Sequence, residues 1–137
     1  MDSAPVGAFD TTLQKTNKLI KDISDELGFT PDQAYLLLRA VLHTLRDRLP
    51  VESAVAFGAE LPMLARGFYY EGWRPSSAPI KMTREEFLGE IERATPFEKG
   101  VAEISRAILA HVKNIIEPTM MDKIKDLLPK DMRDILP

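Results

Sequence analysis

The chain contains no cysteine among its 137 residues, which excludes a disulfide framework, a thiolate metal site and a cysteine nucleophile together. It has no excess of positive charge: the net charge is −3 and the isoelectric point is near 5.4. The footprint of a protein that lives on phosphate backbones is therefore missing, and no nucleic-acid partner is expected. No run approaches the roughly 20 apolar residues of a membrane span. The opening MDSAPVGAFD lacks the cationic head and apolar run of a secretion signal, so a soluble cytoplasmic protein without a membrane partner is expected. Histidine occurs only twice and tryptophan once. Glycine-rich phosphate loops and nucleophile elbows are absent, and Gly58 in GAELP has no such context.

What is present is helical periodicity broken by proline. With 45% hydrophobic residues, the chain has enough apolar content for one compact domain. From Phe9 to Leu27 the apolar residues Phe9, Leu13, Leu19, Ile20, Ile23 and Leu27 recur at helical spacing, and Gly28 caps the end. Thr30-Pro31-Asp32-Gln33 has the form of a capping box with proline at the first helical position. The helix it opens runs to about Leu49, and Leu36, Leu37 and Leu38 make it apolar on more than one side, as a central helix is. Pro50 and Pro62 bracket a shorter helix, and a brief one runs from Met63 to Tyr70. Residues 71–82, with Gly72, Pro75 and Pro79, form an aperiodic linker. Thr83 to Glu86 is a second capping box, opening a helix through Ala94 that Thr95-Pro96 breaks. A longer helix carries Val101 to Ile116, a short one starts at Glu117-Pro118, and Leu128-Pro129 sets off the last. No strand-like alternation appears, so the fold class is all-α with about eight helices.

The order long, long, short, brief occurs twice. At an ungapped shift of 67 residues, Arg39-Ala40 meets Arg106-Ala107, Leu42 meets Leu109, and Leu61-Pro62 with Arg66 meets Leu128-Pro129 with Arg133. The apolar register follows: Leu37 pairs with Ile104, Val41 with Ile108, Leu45 with Val112, Leu49 with Ile116, Phe57 with Ile124, Ala65 with Met132, Phe68 with Ile135. Two tandem, structurally similar four-helix units are expected. Their bounds are 9–70 and 83–137, joined by the linker 71–82 and preceded by a flexible stretch 1–8.

Four aromatics fall within six positions, Phe68, Tyr69, Tyr70 and Trp73. Tyr69 and Tyr70 align at the shift with Leu136 and Pro137, so Tyr-Tyr-Glu-Gly-Trp is read as a joining segment outside the repeated unit. It is expected to bury Trp73 and one tyrosine in the seam between halves, with Gly67 and Gly72 giving close approach and a sharp exit. LPMLARGFYYEGW, preceded by AYLLLRAVLHTLRDRLP and followed by LPKDMRDIL, resembles a bacterial family known as the domain of unknown function numbered 2267, over roughly residues 9–136. The resemblance implies a small helical bacterial protein and supplies no activity, cofactor or catalytic residue.

Arg66, Tyr69, Tyr70, Trp73 and Arg74 form a candidate pocket in which guanidinium groups hold an anion and rings stack on a flat ligand. The recurrence of Arg66 as Arg133, in a half without aromatics, favours a structural role, bonding helix-end carbonyls or a carboxylate such as Glu60 or Glu71. His43 stands four residues from Asp47, one helical turn away, and His111 is not at the repeat-equivalent position. Neither lies in a metal-ligand spacing, no Glu-x-x-His motif is present, and no catalytic residue, metal or cofactor is assigned. Lys18 and Lys21 give Asp22 and Asp25 helical ion-pair partners, and Asp25, Glu26, Glu85, Glu86, Glu90 and Glu92 read as solvated or helix-start charges. Met120 and Met121 replace Ser53 and Ala54, either as a docking or dimer face or, more simply, as filling for the second half's own core.

These readings lead to a non-enzymatic interaction or regulatory module, with a protein partner or self-association expected. The alternative is a binding protein or enzyme for a small anionic or aromatic molecule at the seam.

Overall fold

A computed structural model describes residues 5–94 and 100–137. The described residues form seven α-helices and no strand: α1 (Gly7–Leu27), α2 (Pro31–Arg48), α3 (Val51–Ala59), α4 (Met63–Tyr70), α5 (Arg84–Glu92), α6 (Val101–Lys113) and α7 (Met120–Asp126). Two short 3-10 helices, Pro75–Ser77 in the linker and Lys130–Ile135 at the end, complete them. The expected final helix is thus present in 3-10 form. Helix α1 starts at Gly7, inside the stretch expected to be flexible, while the Thr95-Pro96 break lies outside the described residues.

Local chemistry sets the boundaries. Gly28 takes the left-handed conformation at φ 73°, and its N–H, with that of Phe29, returns to Ser24 O at 2.9 and 3.2 Å. Both capping boxes form: Thr30 and Gln33 exchange side-chain bonds with each other's backbone, and Thr83 and Glu86 do the same. Thr12 of α1 supplies a cap from another element, its Oγ1 accepting from Leu64 N at 2.7 Å at the start of α4. Gly72, at φ 72°, makes the sharp exit from α4.

Helix α2 is the centre. Leu37, Leu38, Val41, Leu42, Leu45 and Leu49 are shut off from solvent, each contributing about 2 kcal/mol of burial, while Leu36 points outward. Helix α1 packs on α2 and α4 and also crosses to α6; α5 packs on α6 and crosses to α2. The first helix of each half therefore lies on the second helix of the other, and one core runs through both. Burial keeps step at the 67-residue shift: Val41 and Ile108, Leu42 and Leu109, Leu45 and Val112, Phe57 and Ile124, Ala65 and Met132, Phe68 and Ile135 are all buried.

Some sequence expectations moved. Phe9 and Leu13 are 50% and 38% exposed, because the first two turns of α1 extend past the shared core. Met121 is wholly buried and Met120 partly so, which makes Met121 core filling and takes it out of any docking face. Close approach occurs at Gly58 rather than Gly67: a Cβ on Gly58 would meet Tyr70 and Tyr69 side-chain atoms, whereas one on Gly67 would meet no other element within 4 Å among the described residues. No helix among the described residues is long and apolar enough to cross a membrane.

Candidate functional site

The aromatic segment packs back on the first half. Tyr69 is fully buried, its ring 5.7 Å from that of Phe57, and its hydroxyl donates to Ala54 O at 2.6 Å. Tyr70 meets Tyr69 edge-on at 4.9 Å and stacks on Trp73 at 5.6 Å. Tyr35 and Phe68 form a further edge-on pair at 5.3 Å. These contacts run along α2, α3 and α4, all in the first half. Trp73, expected in the seam between halves, is half-buried at the end of that stack, with its Nε1 enclosed and without an acceptor among the described residues. Absence of water makes the Tyr69 phenol hard to ionise and pushes its pKa far above the usual value, with Tyr70 adding to the effect.

Arg66 is occupied structurally. Its Nε donates to Gly58 O at 3.1 Å, and its Nη2 to Ala59 O and Leu61 O at 3.2 and 3.0 Å, satisfying the carbonyls at the end of α3. Neither carboxylate suggested for it takes part. Glu60 accepts from Glu117 N across the halves at 2.9 Å, and Glu71 faces Arg39 at 3.6 Å. The five candidate residues therefore do not converge on one pocket. Trp73 and Arg74 line a small cleft of about 280 Å³ with Asp47 and Ile80; Arg66 borders a different groove.

Sequence reading missed Arg46. It is 3% exposed, and its Nη1 donates to Tyr69 O and Glu71 O at 2.7 and 2.8 Å, closing the end of α4. Asp47 neutralises it at 2.8 Å. The signal was available, since Arg46 stands four residues after Leu42 and three before Leu49, on the apolar stripe of α2. Asp47 is thus bonded to Arg46 and acts on His43 only through its charge, which favours the protonated imidazole. His43 Nε2 instead donates to Phe68 O at 2.6 Å. Burial holds the His43 pKa below its ordinary value, and Arg46 and Arg39 push the same way against that bond. His111 bridges the halves, its Nε2 lying 2.6 Å from Glu26 Oε1.

A groove of about 960 Å³ runs along α1, walled by the α3–α4 corner and the end of α6. Ala8, Thr11, Thr12, Lys15, Lys18, Leu19 and Asp22 form its α1 side; Ala59 to Met63 and Arg66 form the second, and His111, Asn114 and Ile115 the third. Sequence reasoning had no route to it, because its walls come from three segments distant in the chain. Lys18 pairs with Asp22 at 2.7 Å, holding the Asp22 carboxyl below the usual range. Among the described residues no three His, Asp or Glu side chains gather as metal ligands do.

The family model described as Uncharacterized conserved protein (DUF2267) matches residues 16–135. No curated protein matches the chain.

Proposed function

Since the chain belongs to the DUF2267 family of uncharacterized conserved proteins, and that membership brings no reaction with it, we propose from the geometry that it is a non-enzymatic interaction module. The observation that carries this reading is the groove along α1, bounded by both halves and large enough to enclose a ligand. A surface assembled from both halves gives binding a means of sensing how the halves sit, which suits a regulatory part. The resemblance of the two halves in helix order, burial and arginine bonding is itself read as duplication of a helical unit. We place the protein in the cytoplasm, a reading supported by its cysteine-free composition.

The rival reading, a small-molecule pocket at Arg66, Tyr69, Tyr70 and Trp73, has less support. The hydroxyls of both tyrosines and three N–H bonds of Arg66 already have backbone acceptors. A photocrosslinking residue placed at Thr11, in the groove, and separately at Val55 on exposed α3 discriminates. The interaction reading expects a discrete protein adduct, or a dimer of this chain, from Thr11 alone. Adducts formed equally from both positions, or turnover of a metabolite by the purified protein, would overturn it.

A further inference from the structure

The two halves give one surface corner two different chemistries. At the 67-residue shift Met63 aligns with Lys130, Leu64 with Asp131 and Gly67 with Asp134, and all six residues are exposed. In the second half the corner is charged, as a solvated surface is, and Asp134 pairs with Arg84. In the first half the corner is closed by Arg66 as Arg133 closes the other, yet these three positions carry no charge. Met63 and Leu64 stand 51% and 44% exposed there.

Helix α1 enlarges this apolar corner. Arg84, where α5 starts, aligns with Asn17, so the turns of α1 over 7–16 have no helical counterpart in the second half. The bond from Leu64 N to Thr12 Oγ1 fixes those turns against the start of α4. Val6, Phe9 and Leu13 follow one another at the three-and-four spacing of a helix-pairing stripe, exposed at 47%, 50% and 38%. At about 100° per residue, Phe9 and Leu13 lie about 160° round the helix from Thr11. None of Val6, Phe9, Leu13 and Leu64 lines the groove, so this is a separate surface.

What covers it follows from its charge and its extent. No exposed residue in 6–13 or 63–67 is charged. Such a face gives a charged partner nothing to pair with, and it meets a copy of itself without repulsion. Val6, Phe9, Leu13 and Leu64, with Met63 at the edge, leave about 450 Å² open on each copy; two copies with their rims bury about 1,000–1,200 Å², the low end for a specific contact. The charged corner of the second half offers no further site, so association closes at two.

We propose that the chain forms a weak two-fold dimer through the first turns of α1 and the start of α4, with Phe9 of one copy against Leu13 of the other and Leu64 at their margin. This goes beyond the groove reading and uses the other side of α1.

The test is sedimentation equilibrium of the full chain from about 1 μM to about 1 mM, where a reversible monomer–dimer equilibrium is expected with its midpoint at about 10–100 μM. Leu64→Asp, which copies the residue of the second half, and Phe9→Glu each weaken association about tenfold or more with unchanged circular dichroism, while Leu36→Glu on α2 leaves it unchanged. Because the chain has no cysteine, Leu13→Cys and Leu36→Cys give an independent reading: under mild oxidation only Leu13→Cys yields a disulfide-linked dimer. A monomer at every concentration, a dimer that both acidic variants leave intact, growth beyond two copies, or equal disulfide yields overturns the proposal. If Thr11 captures a partner while the chain stays monomeric, this inference fails and the groove reading stands. If Leu13→Cys links two copies and Thr11 captures nothing, the dimer stands and the groove reading falls.

Discussion

Arg66 and Arg133 each donate to the carbonyl of the leucine five residues before them, at equivalent places in the two halves but from different guanidinium nitrogens. Arg66 Nη2 donates to Leu61 O at 3.0 Å, Arg133 Nε donates to Leu128 O at 3.3 Å, and both donors and both acceptors are 67 residues apart. Each arginine closes the corner after a Leu-Pro pair. The first does more, since it also holds Gly58 O and Ala59 O.

The two sites are therefore expected to differ in cost. Arg66→Ala removes three charge-assisted bonds and is expected to destabilise the fold by about 1.5–3 kcal/mol; Arg133→Ala, losing one longer bond, by about 0.5–1.5 kcal/mol. Urea midpoints at unchanged m-value measure both. Equal losses would mean that the additional carbonyls at Arg66 contribute nothing.

Gly58 is the point where two tyrosines lie directly on helix α3. A Cβ there would sit 2.5 Å from Tyr70 Oη and 2.8 Å from Tyr69 Cε2. Gly58→Ala would ordinarily favour a helix, yet here it is expected to destabilise by about 1–3 kcal/mol through overpacking. Tyr70→Ala in the same chain removes the nearest clash, so the double variant loses less than the sum of the singles. Thermal denaturation giving additive losses argues against this packing account.

Stability is expected to fall at both ends of the pH range, from two separate groups. The folded His43 pKa is depressed by burial, so the unfolded chain takes up the proton first as pH falls below about 6.5. Its contribution is present above that value and is lost as pH falls towards the folded pKa. Tyr69 acts in the opposite sense. Its folded pKa is raised, so the unfolded chain ionises first above about 10 and stability declines as pH rises. Urea unfolding at pH 7.5 and 5.5 checks the first, with His43→Gln showing a smaller difference. Absorbance at alkaline pH checks the second: one of the three tyrosines titrates only with unfolding.

The helices were legible because their signals are local. Thr30 with Gln33, Thr83 with Glu86 and Gly28 each lie within a few residues of the boundary they set. The structural role of Arg66 was legible too, through its recurrence as Arg133. What periodicity does not carry is which stretch of an amphipathic helix finds a neighbour. Phe9 and Leu13 continue the stripe of α1 but extend beyond the core and stay exposed. Nor does it carry direction: the aromatic segment was assigned to the seam, whereas its Tyr69 and Tyr70 rings fold back onto Gly58. The groove depends on α1 crossing to α6, a relationship that no local pattern encodes.

Trp73 gives the sharpest test of that rearranged aromatic stack. Its ring is half-buried against Tyr70, and its enclosed Nε1 has no acceptor among the described residues. An enclosed donor without a partner costs about 1–3 kcal/mol, which offsets much of what the indole gains by packing. Trp73→Phe keeps most of the stacking and removes the unpaired N–H, so it is expected to change stability by less than about 1 kcal/mol. Trp73→Ala loses the ring contact as well and is expected to cost about 2 kcal/mol. Tyr70→Ala uncovers one face of the indole, moving its emission to longer wavelength and raising its quenching by acrylamide. A Trp73→Phe loss as large as that of Trp73→Ala would show that Nε1 has an acceptor in solution and that the donor itself holds the linker in place.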